Sequence, residues 1–116
     1  MSEPTPPISS FLPLTPAVFH ILLALSDGDR HGYDIMREVS DATQGNIRMG
    51  PGTLYGSLKR MLQAGLIVET GERPDPSLDD ARRRYYRLSE LGQGVLAAEV
   101  ERLVHLVSLA DRKSVV

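Results

Sequence analysis

The sequence predicts a mainly α fold with one small β-hairpin, and three observations carry that prediction. Leu54, Leu58, Met61 and Leu62 recur at helical spacing between a Gly50-Pro51 opening and a Gly65 stop. Two β-prone runs follow, Leu66-Ile67-Val68 and Ala81–Leu88, separated by a segment dense in turn formers. Leu96, Val100, Leu103, Val107 and Ala110 then step by four, three, four and three, a heptad-like seam on a last helix.

Length and composition bound what such a fold can do. At 116 residues the chain is one domain. It has no cysteine, which excludes a disulfide framework, a thiolate metal site and a cysteine nucleophile. No stretch approaches the roughly 20 apolar residues that span a bilayer. Met1–Pro7 lacks the basic-then-apolar order of a secretory signal. The expectation is a cytoplasmic protein with no membrane partner.

Residues 1–14 read as a flexible leader ending in Phe11-Leu12-Pro13-Leu14, a pad for the domain or a partner. The first helix starts at Thr15-Pro16, a cap followed by proline at the first helical position, and runs almost wholly apolar to Leu25. A helix apolar on all sides is covered on several. Ser26–Arg30 is a turn by composition, and a second helix follows over His31–Thr43. Gly32 there suits either a close approach to the first helix or a free φ. Asp34 and Glu38 form a solvated i,i+4 face with no need of an enzyme pair. In the link to the third helix, Ile47 and Met49 alternate with Arg48 as a short first strand would, aiming Arg48 outward.

The third helix carries the chemistry. Its leucines face inward, and the remaining surface offers Thr53, Tyr55, Ser57, Lys59, Arg60 and Gln63. Donors and positive charge on a short helix with a fixed N-terminus suit a DNA major groove, where base edges need donors and phosphates need cations. The glycines at its entry lack the lysine and threonine of a phosphate-binding loop. Helix, strand, basic-rimmed hairpin and strand, in that order, is the winged helix-turn-helix plan. In the wing, Arg73 stands at the start of the hairpin and Arg82, Arg83 and Arg84 at its return, placed to reach phosphate or a minor groove. Asp75, Asp79 and Asp80 in the same loop oppose that contact. Ser89 caps the last helix, roughly Glu90–Asp111, whose surplus apolar stripe calls for a partner. Residues 112–116 form a flexible tail. The domain reading is therefore a leader over 1–14, a winged domain over 15–88 and a dimerisation helix over 89–111.

Charge agrees with this division. Residues 1–47 hold two basic against six acidic groups, a net −4; residues 48–87 hold eight against five, a net +3. The whole chain is at −2, so the positive charge is a local footprint on helix and wing. His20, His31 and His105 lie in three elements without metal-ligand spacing, and no nucleophile, base and orienter occur together. Neither an enzyme nor a cofactor is expected.

These motifs resemble the PadR family of bacterial winged-helix transcriptional regulators. The matching features are His31-Gly32-Tyr33-Asp34-Ile35, Gly52-Thr53-Leu54-Tyr55, the spacing of Leu58, Met61 and Gly65-Leu66-Ile67, and the run Arg84–Gly92. They cover roughly residues 15–110. Gly56 departs from the family, many members of which carry proline there. The resemblance implies a homodimer on double-stranded DNA that represses transcription and often answers a small-molecule effector. Phe19, His20 and Met36 are the candidate effector-pocket residues, and the absence of tryptophan disfavours ligand stacking between dimer helices. The rival reading is a winged-helix module that docks another protein, which the acidic wing loop and negative net charge favour.

Overall fold

The computed structural model of the chain describes residues 5–72 and 84–115. One 3-10 turn, Ile8–Phe11, precedes α1 (Pro16–Ala24). The Thr15 hydroxyl accepts the Val18 N–H at 3.2 Å, closing the N-terminus of α1. A two-residue strand β1 (Arg30–His31) leads into α2 (Gly32–Ala42), capped by His31 Nδ1, which accepts the Asp34 N–H at 3.0 Å. α3 spans Pro51–Gln63 and is followed by β2 (Ile67–Glu72), β3 (Arg84–Leu88) and α4 (Glu90–Arg112). The result is a mainly helical winged helix-turn-helix domain with a small antiparallel sheet and a long C-terminal helix.

Local chemistry explains the boundaries that position α3. Gly65, at φ +81°, turns the chain after the helix. The Leu66 N–H returns to the Met61 carbonyl at 3.0 Å and the Gly65 N–H to Leu62 at 3.1 Å, the paired bonds of a Schellman end. Ser89 joins this corner to α4: its hydroxyl donates to the Gly65 carbonyl at 2.5 Å and accepts the Gly92 N–H at 3.0 Å. Gly92 is required by packing, since a Cβ there would stand 1.9 Å from the Leu66 carbonyl oxygen.

The sheet order is β1-β3-β2, with both pairings antiparallel. Here the structure corrects the sequence reading. The first strand is Arg30–His31, paired with Tyr86 and Tyr85, and not the Ile47–Met49 segment. Ile47 and Met49 do turn inward against the core, while their backbone is held to the end of α2 through Thr43. Two residues are too few to show a period of two. A bulge at Thr70 separates the pairings Glu69↔Tyr86 and Gly71↔Tyr85, bending β2 as it leaves the body.

The core gathers Ile21 and Leu22 from α1, Ile35 and Val39 from α2, and Leu54, Leu58 and Met61 from α3. Ile67, Tyr86 and Leu88 of the sheet and Val95 and Leu96 of α4 complete it. Gly32 is buried, but its close neighbour is the Tyr55 ring of α3, whose hydroxyl would stand 2.3 Å from an added Cβ. The glycine thus admits α3, where the sequence suggested α1.

Candidate nucleic-acid interface

α3 turns Leu54, Leu58 and Met61 into the core and leaves Thr53, Lys59, Arg60 and Gln63 exposed on the opposite side. Pro51 and Gly52 are exposed at its entry, and no side chain caps the Gly50 N-terminus. The first backbone amides of the helix therefore stand uncapped at an exposed end, where a phosphate can be received. Arg48, exposed just before the helix, lies with its guanidinium near Gly45.

Two residues expected on that face are elsewhere. Ser57 is only 4 % exposed, and its hydroxyl accepts the Arg60 Nη2–H at 3.3 Å. It sits next to Leu58 and one turn before Met61, so helical spacing carries it inward. Tyr55 is half-buried with its ring against Gly32, and its hydroxyl points into the protein. Of the wing arginines, Arg73, Arg82 and Arg83 lie outside the described residues. Arg84 opens β3, exposed, with Nε 3.9 Å from a Glu69 carboxylate oxygen.

Ion pairing separates the cations into two groups. Arg30 bridges the end of α1 to α2: its Nε donates to the Ala24 carbonyl at 2.7 Å and Nη1 to Asp34 at 2.8 Å, with Asp27 and Glu38 nearby. Partial burial pushes the Asp34 carboxyl up, but hydrogen bonds and charge from Arg30 and Arg37 outweigh it and hold the group below its ordinary value. The supposed solvated face of Asp34 and Glu38 is in fact an ion network. Arg87 pairs with Asp29 at 3.2 Å. By contrast, Arg48, Lys59 and Arg60 pair with no carboxylate among the described residues. Among the described residues of the winged domain, the cations without a carboxylate partner are thus gathered at and just before α3.

Past Glu99, α4 leaves the body. Val104 and Val107 are 62 % and 61 % exposed, and Val100, Leu103 and Leu106 are also open. Of the five seam positions, Val100, Leu103 and Val107 lie on this free face and Ala110 is half-buried. Leu96 is spent within the core at 8 % exposure. Phe19 and His20 line a cavity of about 220 Å³ between α1 and α4 with Glu99, Arg102 and Leu103. Met36 is not part of that wall; it packs on the core from α2.

Glu99 is a feature that sequence reading passed over. Its carboxylate is 2 % exposed, accepts the Leu14 N–H at 2.7 Å and pairs with Arg102. The Arg102 hydrogen bond outweighs burial, and the Leu14 amide adds to it, so the carboxyl is held below its ordinary value. The N-terminal segment is thereby fastened to α4. Only the polarity of Glu99 amid apolar seam residues hinted at this.

Among the described residues no His, Asp and Glu cluster could hold a metal ion, and no helix is long and apolar enough to cross a membrane. The model of the transcriptional regulator PadR-like family matches residues 21–98. An uncharacterized protein X of Lysinibacillus sphaericus is 31 % identical over 91 residues, 78 % of this chain and 81 % of that protein. Among solved structures, a PadR family transcription regulator from Clostridium difficile superposes with a TM-score of 0.68 at 22 % identity, covering 84 % of this chain and 97 % of that one. Bacillus subtilis PadR in complex with operator DNA gives 0.64 at 20 % identity, covering 76 % of this chain and 47 % of that one. With this match, this fold and an unneutralised α3 face, the chain belongs to the PadR-like family of DNA-binding transcriptional regulators.

Proposed function

We propose that this regulator is a cytoplasmic homodimeric repressor of a near-palindromic operator. The observation that carries the reading is the outward face of α3, with Thr53, Lys59, Arg60 and Gln63 exposed and its cations without a carboxylate partner among the described residues. Lys59, Arg60 and Arg48 supply phosphate or guanine contacts, and Thr53 and Gln63 supply further hydrogen bonds. Ser57 and Tyr55 support the helix from within. The wing arginines Arg73, Arg82, Arg83 and Arg84 contribute phosphate contacts beside it. The similar Bacillus subtilis PadR was solved with operator DNA, which favours the same partner here.

Pairing through Val100, Leu103 and Val107 withdraws the exposed apolar face of α4 from water. Two copies of α3 then address major grooves about 34–36 Å apart on one face of the duplex. A small-molecule effector relieves repression, with the cavity at Phe19 and His20 as one candidate site.

The test is a titration of the purified chain against DNA upstream of its own gene at two salt concentrations, with stoichiometry from sedimentation. Sequence-selective binding by two protomers per site, weakening steeply with salt, supports the reading. Binding no stronger than to unrelated DNA would count against it and favour a protein-docking role.

A further inference from the structure

A second cavity lies directly behind the reading helix. It is an open groove of about 240 Å³, walled by Phe11 and Leu14 of the N-terminal segment, Val18 of α1, Met61 of α3 and Leu66. Three polar side chains also line it, the buried Ser57 and the exposed Thr15 and Arg60. The N-terminal wall is held in place, because the neighbouring Leu14 amide is bound by Glu99.

The Arg60 guanidinium stands between two surfaces. Nη2 reaches inward to the Ser57 hydroxyl at 3.3 Å, whereas Nη1 is 3.6 Å from where a Gly56 Cβ would be, on the outer side of the helix. It has no carboxylate partner among the described residues. An open, mostly apolar groove with one unneutralised cation at its rim matches an apolar molecule that ends in an anion. A dry cavity of about 150 Å³ accommodates benzene, so this one has room for a somewhat larger body.

We propose that this cavity binds a small amphipathic monoanion whose charged end takes the Arg60 guanidinium, and that Arg60 couples its occupancy to DNA release. This inference rests on the reading of Arg60 as a DNA contact. One guanidinium held by a ligand anion is withdrawn from a phosphate, so each ligand opposes the other reciprocally. The site is separate from the cavity at Phe19 and His20.

Octanoate and its neutral twin 1-octanol are the probes, titrated into the full chain without DNA and followed by methyl nuclear magnetic resonance. The expected result is saturable binding of one octanoate per protomer, with shifts at Val18, Met61 and Leu66. 1-Octanol should bind about tenfold more weakly or worse, since it lacks the charge-assisted bond. Arg60→Gln should bring octanoate down to the level of 1-octanol. Ala64→Leu, which fills the cavity from its wall, should abolish binding while its methyl spectrum stays folded. Saturating octanoate should weaken operator binding about fivefold or more in the parent chain and not in Ala64→Leu.

Shifts confined to Val100, Val104 and Val107, or equal affinity for the two probes, would overturn the site. Octanoate that fills the cavity and leaves operator affinity unchanged overturns the coupling. Because the first titration contains no DNA, a chain that binds no operator fails the repressor reading alone, and a chain that binds operator but not octanoate fails only here.

Discussion

At the scale of single residues, the unpaired cations and the buried carboxylate make opposite demands. Lys59 is exposed, with no carboxylate partner among the described residues. Lys59→Ala should weaken binding to specific and unrelated DNA alike and reduce the salt slope by about one per protomer, measured by titration across salt concentrations. Glu99 acts inside the fold. Its pKa is depressed in the folded chain, so it contributes stability above the unfolded value and loses it as pH falls through the folded value. Asp34, also depressed, acts in the same direction. Stability should therefore decline from about pH 4.5, the ordinary glutamate value, downward. Glu99→Gln should denature more readily than the parent at pH 7, and the gap should close as the pH is lowered below that point. A gap constant across pH would show that the charge contributes nothing.

At the scale of elements, two glycines with the same backbone freedom play different parts. Gly92 of α4 touches the Leu66 carbonyl, where an added Cβ would be 1.9 Å from the oxygen. Gly92→Ala should destabilise the domain by about 1–3 kcal/mol, read from urea denaturation, because α4 must move off the β2 corner. Gly56 lies inside α3, and the nearest atom to its Cβ position is an Arg60 nitrogen at 3.6 Å. Gly56→Ala meets no obstacle and should raise stability by up to about 1 kcal/mol through helix propensity. If α3 lies with its backbone close to DNA, the same change lowers operator affinity, a trade that denaturation and DNA titration read separately.

At the scale of the whole molecule, α4 serves two partners along its length. Leu96 and Val95 belong to the chain's own core, and from Val100 to Val107 the apolar residues are open. Val107→Asp, at a 61 % exposed position, should leave the thermal midpoint of the winged domain nearly unchanged while sedimentation reports monomers. Operator binding should fall with dimerisation, since a monomer holds one half-site. A variant that remains dimeric would move the interface away from this half of the helix.

The helices and their outward charge were legible from local sequence. Periodicity of 3.6, a Thr-Pro start, a Ser89 cap and a Gly65 stop are local signals, and each depends on residues within one or two turns. They placed α1, α3 and α4, and they identified Thr53, Lys59, Arg60 and Gln63 as the free side of α3. Contacts between distant residues were set by packing and left no local signal. Arg30–His31 became a strand because Tyr85 and Tyr86 arrive beside it. Ser57 and Tyr55 turned inward because α2 and the N-terminal segment cover their side of α3. Leu96 was taken from the seam because the domain needed it, and Glu99 was tied to an amide 85 residues away. A local pattern fixes which face of a helix is apolar, but which neighbour covers each part of that face depends on how the elements pack.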